Sequence, residues 1–125
     1  MEIGFTGKTA IVTGAAHGLG RAITHGLVTR GAQVWALDVL ENDLRETEVM
    51  ARSLGDSCIT TRVVDITDRE AVGSTVKEAI ESMGKVDILV HSAGGVCGQV
   101  GQFIEDVTEK QWQDIYEVNL SLIHI

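Results

Sequence analysis

The chain has 125 residues, 44% of them apolar, and a formal net charge of −8, which suits one soluble α/β domain or part of a larger one and leaves no room for a second domain. Its ten Lys and Arg are scattered among eighteen Asp and Glu, which argues against a nucleic-acid partner, because backbone phosphates are held by clustered basic side chains. Met1 to Lys8 has neither the basic nor the apolar region of a leader, and no later run approaches the roughly 20 apolar residues of a membrane span; the reading is a cytoplasmic protein without membrane contact.

Thr9 to Thr13 is the first β-branched run. Leu19, Ala22, Ile23, Leu27 and Val28 then repeat at helical spacing up to Gly31. Gln33 to Leu37 is the second strand, and Gly55 closes the helical stretch after it. Cys58 to Val64 is the third strand; Val72, Val76, Ala79, Ile80 and Met83 form the next helical stripe, ending at Gly84 before a fourth strand, Val86 to Val90. Gly31, Gly55 and Gly84 therefore stand where C-cap glycines do. Thr67 with Glu70 and Thr108 with Gln111 have capping-box spacing, which places the starts of the third and fourth helices near those threonines. Strands alternating with helices predict βαβ units and a parallel sheet, and the Ile, Val and Leu content of the runs predicts strands covered on both faces. Cys58 and Cys97 lack the spacing of a zinc or redox pair and read as reduced structural thiols, with no metal site.

The segment Thr13-Gly14-Ala15-Ala16-His17-Gly18-Leu19-Gly20 joins the first strand to the first helix. A glycine-rich turn at that place lets main chain approach a pyrophosphate, with the helix N-terminus facing the negative charge, so the implied ligand is a dinucleotide. Alone, this glycine spacing is weak evidence. Its surroundings agree: the second strand leads into Asp38, eighteen positions after Gly20, close to the offset at which a carboxylate bonds a ribose hydroxyl. Asp38 also repels a 2′-phosphate, and neither the apolar Val39 nor His17 supplies a fixed positive charge to answer it, so NAD is favoured over NADP. The alternative for Asp38 is a solvated turn residue after a strand.

Thr13-Gly14-x-x-x-Gly18-x-Gly20, Asp38, Asp65-Ile66, Asp87-Ile88-Leu89-Val90-His91-Ser92-Ala93-Gly94 and Trp112 through Val118-Asn119-Leu120 together resemble the short-chain dehydrogenase/reductase family, in its single-domain branch, over residues 5 to about 120. The resemblance implies a Rossmann-like, doubly wound parallel sheet in three αβα layers. The region 1–125 would be a nicotinamide-dinucleotide-binding domain that ends after about four strands. It further implies that Gly14, Gly18, Leu19 and Gly20 form the pyrophosphate turn, with Ala16 and His17 on its rim. Asp38 would hold the adenosine ribose, Asp65 and Ile66 would meet the adenine, and Ala93 and Gly94 would pass near the ribose and nicotinamide. Asn119 matches a helix asparagine that helps hold a water chain between active site and solvent.

The chain departs from the family twice. His91-Ser92 stands where the family carries Asn-Asn, and His91 is read as a structural substitute bonding a backbone group through one ring nitrogen. The family's serine and Tyr-x-x-x-Lys, in which the ammonium lowers the phenol pKa, are absent: the sole tyrosine, Tyr116, precedes Leu120 by four residues and is read as packing on its helix. Leu120 to Ile125 matches one reading frame of a transposase-end adaptor used in sequencing libraries; the expectation is a non-native tail over 120–125, in which case His124 would have no function.

The expected function is the N-terminal coenzyme part of an NAD(H)-dependent oxidoreductase interconverting a small-molecule alcohol and carbonyl, leaning to a 3-oxoacyl reductase-like enzyme or a generic alcohol dehydrogenase. The chain alone would be inactive, and the complete protein a homodimer or homotetramer. The alternatives are a non-catalytic NAD-binding module and an inactive truncated product. The family's strand order also predicts that the fourth strand becomes an exposed apolar edge, with aggregation or loose folding as the result.

Overall fold

The structure, a computed structural model, describes residues 2–54, 58–95, 97 and 100–121. In chain order these form β1 (Thr9–Thr13), α1 (Gly18–Thr29), β2 (Gln33–Asp38), α2 (Glu41–Ser53), β3 (Ile59–Val63), α3 (Arg69–Met83), β4 (Ile88–His91), a 3-10 turn (Ile104–Asp106) and α4 (Glu109–Asn119). The strands make one sheet in the order β3-β2-β1-β4, with every pairing parallel. Ile11 of β1 lies between Trp35 of β2 and Leu89 of β4.

Alternation along the strands separates two cores. Ala10, Val12, Val34 and Ala36 face α1 and α2, where Leu27, Val28, Leu44 and Ala51 are buried against them. Ile11, Trp35 and Leu37 point the other way, onto Ala79, Val76 and Met83 of α3. This is the three-layer αβα arrangement that the strand–helix alternation implies.

Burial on both faces holds for β1 and for the middle of β2. It does not hold for β3 and β4, because they are the sheet edges: Val63 is 54% and Leu89 68% exposed. The fourth strand is thus the exposed apolar edge the sequence anticipates.

Helix ends follow local chemistry. Gly31 (φ +89°) and Gly84 (φ +79°) take the left-handed conformation after α1 and at the end of α3, while Gly55 lies outside the described residues. The Thr108–Gln111 capping box forms as expected. The Thr67–Glu70 box does not: the Thr67 hydroxyl donates to Asp65 Oδ1 at 2.7 Å, and Asp68, one residue later, caps α3 by accepting from the Ala71 N–H at 3.0 Å. Tyr116 sits on α4 at 43% exposure, and Cys58 and Cys97 are both exposed. Of the anticipated tail, residues 122–125 lie outside the described residues.

Two details carry stability predictions. Among the described residues, the Thr24 hydroxyl on α1 is buried without a hydrogen-bond partner. Thr24→Val keeps the shape and removes that buried polar atom, so it is expected to stabilise the fold by about 1 kcal/mol and raise the thermal midpoint by a few degrees. A lower midpoint for Thr24→Val would show that the hydroxyl has a partner.

At the opposite end of the sheet from the glycine turn, Asp87 accepts from Lys85 Nζ and, at 3.0 Å, from the Thr9 N–H, tying the start of β4 to β1. Lys85, and after it the Thr9 N–H, lower the Asp87 pKa from 3.8 to about 2. A carboxylate depressed on folding stabilises above its unfolded value, and the contribution is lost as pH falls through the folded one. Stability is therefore expected to drop as pH falls from 3.8 toward 2, and the drop should shrink in Asp87→Asn, as urea midpoints across that window would show.

Candidate functional site

The sheet order reverses at β1: the chain builds outward through β2 and β3, then crosses back to place β4 on the other side. A crevice opens at such a switch point, beyond the carboxyl ends of the strands. Here a cavity of about 560 Å³ lies at those ends.

The glycine turn forms one wall. Gly14 adopts φ +68°, and a Cβ there would come within 2.7 Å of the Ser92–Ala93 backbone, so only glycine lets the turn pass under the loop after β4. A Cβ on Gly20 would lie 1.9 Å from the Gly14 carbonyl oxygen, so the first turn of α1 closes against the strand only without a side chain. His17 is the N-cap of α1 and makes no side-chain cap bond, and the first helical turn contains no acidic residue. The first turn of α1 thus carries no carboxylate of its own to compete for its opening N–H groups, and Gly14, His17, Gly18 and Leu19 all line the cavity.

Asp38 ends β2 beside this wall. Its Oδ2 accepts from the Ala16 N–H at 2.9 Å, and its Oδ1 accepts from the N–H groups of Val39 and Leu40 at 2.7 and 3.1 Å. The carboxylate is therefore held between the glycine loop and the entry to α2. This is more than a solvated turn residue, because the Ala16 bond is long-range.

Asp65 and Ile66 line the cavity from the end of β3. The hydroxyl and N–H of Thr67 both donate to Asp65 Oδ1, holding its carboxyl below the ordinary value of 3.8.

Ser92, Ala93 and Gly94 complete the far side. The Ala93 N–H donates to Thr13 Oγ1 at 3.2 Å, and His91 Nδ1 lies 3.1 Å from the same hydroxyl. The expected backbone partner of His91 is thus corrected to a side chain: Thr13 and His91 are register partners on adjacent strands, so their side chains share a face. Asn119 sits behind this loop, its Nδ2 donating to the Gly95 carbonyl at 2.7 Å and its Oδ1 accepting from the Gly95 N–H at 3.1 Å.

Gly14, His17, Gly18, Leu19, Asp38, Asp65, Ile66, Ala93 and Gly94 thus converge on one cavity. Ala16, Gly20, His91 and Asn119 stand behind it, shaping the turn and loop. The sequence reading missed the apolar lining contributed by Leu37, Leu40, Val64 and Val118. The first three could have been found as neighbours of strand ends; Val118 arrives on α4 and carries no local signal.

A model of the short chain dehydrogenase family matches residues 8–124. The chain is 34% identical over 119 residues to 3-oxoacyl-[acyl-carrier-protein] reductase FabG of Salmonella typhimurium, covering 95% of this chain and 46% of that protein. Carveol dehydrogenase from Mycobacterium avium, solved in complex with NAD, superposes with a TM-score of 0.87 at 32% identity, covering 98% of this chain and 48% of that one. A variant of actinorhodin polyketide ketoreductase with NADPH gives 0.85 at 29%, covering 94% and 43%. The chain therefore spans slightly under half the length of these relatives. With the family model covering nearly the whole sequence and a Rossmann-like fold shared with these enzymes, the protein belongs to the short-chain dehydrogenase/reductase family of oxidoreductases.

Proposed function

We propose that the chain is the coenzyme-binding part of an NAD(H)-dependent oxidoreductase that interconverts an alcohol and a carbonyl. The observation that carries this reading is Asp38, fastened to the Ala16 N–H at 2.9 Å on the rim of the cavity that the glycine turn lines. A negative side chain there suits a ribose with free hydroxyls and opposes a 2′-phosphate. The fit extends to the turn itself: Gly18 has φ +56° and nothing within 4 Å of an added Cβ, which leaves bare main chain facing open space at a helix N-terminus.

In this reading Gly14, Gly18 and Leu19 hold the pyrophosphate, with Gly20 allowing their close packing. Asp38 holds the adenosine ribose. Asp65, Ile66, Val64 and Leu40 frame the adenine, and Ala93 and Gly94 border the nicotinamide half. Nicotinamide supplies the hydride chemistry when bound; the protein residues bind and orient. Asn119 is a positioning residue, its carboxamide fixing Gly95 and hence the loop beside that half.

Similarity to a 3-oxoacyl reductase supports a 3-oxoacyl or related carbonyl substrate. Exposed Phe103 and Trp112 support a homo-oligomer. Lacking any Tyr-x-x-x-Lys, the 125 residues alone bind coenzyme without turnover. Fluorescence titration with NADH tests the reading: saturable binding, tighter than that of NADPH, is expected, and no binding at millimolar NADH would overturn it.

A further inference from the structure

Behind the glycine turn, α2 carries a threonine that stands outside the cavity lining. Thr47 is fully buried. Its Oγ1 lies 2.9 Å from the Ala15 carbonyl oxygen, 3.2 Å from that of Ala16 and 3.2 Å from that of Asp43, and it accepts from Arg21 Nε at 2.9 Å. One hydroxyl proton serves these acceptors, and the shortest contact is to Ala15. Arg21, on α1, also donates through Nη2 to the Asp43 carbonyl at 2.9 Å and pairs with Glu46 at 3.3 Å.

The consequence follows from the planarity of the peptide group. A trans peptide points its C=O and the following N–H in opposite directions. The Ala15 carbonyl turned toward Thr47 therefore turns the Ala16 N–H the other way, and that N–H donates to Asp38 Oδ2 at 2.9 Å. Arg21, Thr47, the Ala15–Ala16 peptide and Asp38 form one directed chain of hydrogen bonds from the back of the α1–α2 interface to the cavity rim.

We infer that Thr47, with Arg21 as its donor, is a positioning pair that sets the Asp38 carboxylate and so governs how strongly the site prefers an unphosphorylated ribose over a 2′-phosphorylated one. The inference rests on the dinucleotide reading above. Preorganisation of this kind acts on affinity by holding a group in its bound orientation before the ligand arrives. Neither Thr47 nor Arg21 lines the cavity, so a change in coenzyme preference on mutating them has to travel through the loop.

The experiment compares NADH and NADPH affinities, by fluorescence titration, for the wild-type chain, Thr47→Ser, Thr47→Val and Arg21→Met, with circular dichroism to confirm folding. Thr47→Ser keeps the hydroxyl and should hold both affinities within about twofold. Thr47→Val keeps the volume and removes the bonds; NADH binding should weaken by about tenfold and the NADH-to-NADPH preference should narrow by several-fold, a loss on the scale of one oriented hydrogen bond. A folded Thr47→Val with wild-type affinities and preference overturns the inference while leaving the coenzyme reading intact. If valine prevents folding, Arg21→Met decides: a narrowed preference supports the pair and an unchanged one overturns it. A wild-type chain that binds neither coenzyme overturns the coenzyme reading itself, and the inference with it.

Discussion

Gly20→Ala is expected to abolish NADH binding and to destabilise the fold by about 3 kcal/mol or more, the upper end of what overpacking costs. The added methyl would lie 1.9 Å from the Gly14 carbonyl oxygen and 2.6 Å from its carbonyl carbon. Both are backbone atoms of the strand exit, with no rotamer to yield, so either α1 moves out or the turn reshapes. Each removes the N–H groups of the helix start from the cavity. The thermal midpoint should fall by roughly 10 °C. Gly73→Ala is the control: Gly73 lies inside α3, where a Cβ meets nothing within 4 Å, so alanine there should stabilise by about 0.5–1 kcal/mol through helix propensity. A Gly20→Ala chain that melts and binds NADH like the wild type would remove the close-packed turn from the account.

The second large effect concerns coenzyme choice. Asp38→Asn keeps an oxygen for the Val39 and Leu40 N–H groups but removes the charge that a 2′-phosphate would face. Two unit charges about 4 Å apart repel by about 1 kcal/mol in bulk water and about 4 kcal/mol near a protein surface. Neutralising Asp38 is therefore expected to move the NADPH-to-NADH affinity ratio toward NADPH by about tenfold at the least. Part of the change comes from weaker NADH binding, since the ribose hydroxyls lose a charged acceptor. An unchanged ratio, measured by parallel titrations, would mean that Asp38 serves only the Ala16 bond and the turn into α2.

These two residues also mark how far sequence reasoning reaches. Gly14, Gly18, Gly20 and Asp38 were legible because their spacing relative to a strand and a helix is local, and the physics of a tight turn at a helix start restricts what can stand there. The four strands and their alternation with helices were legible for the same reason, since side-chain period follows backbone geometry within each element. Capping was partly legible: Thr108–Gln111 formed its box, whereas the Thr67 hydroxyl went to Asp65 and ceded the cap to Asp68. Equivalent local patterns compete for the same hydroxyl, and the neighbouring carboxylate decided the outcome.

What the sequence by itself determined is the parallel α/β character, the glycine turn between the first strand and the first helix, and the acidic residue at the end of the second strand. Tertiary structure alone decided that β3 is a half-exposed edge, that His91 bonds the Thr13 hydroxyl rather than main chain, that Val118 reaches the cavity from α4, and that Thr47 stands behind the glycine turn. These contacts join residues about 30 to 80 positions apart. No periodicity encodes such partnerships, because they depend on which strand lies beside which and on how closely two helices pack once the core has closed.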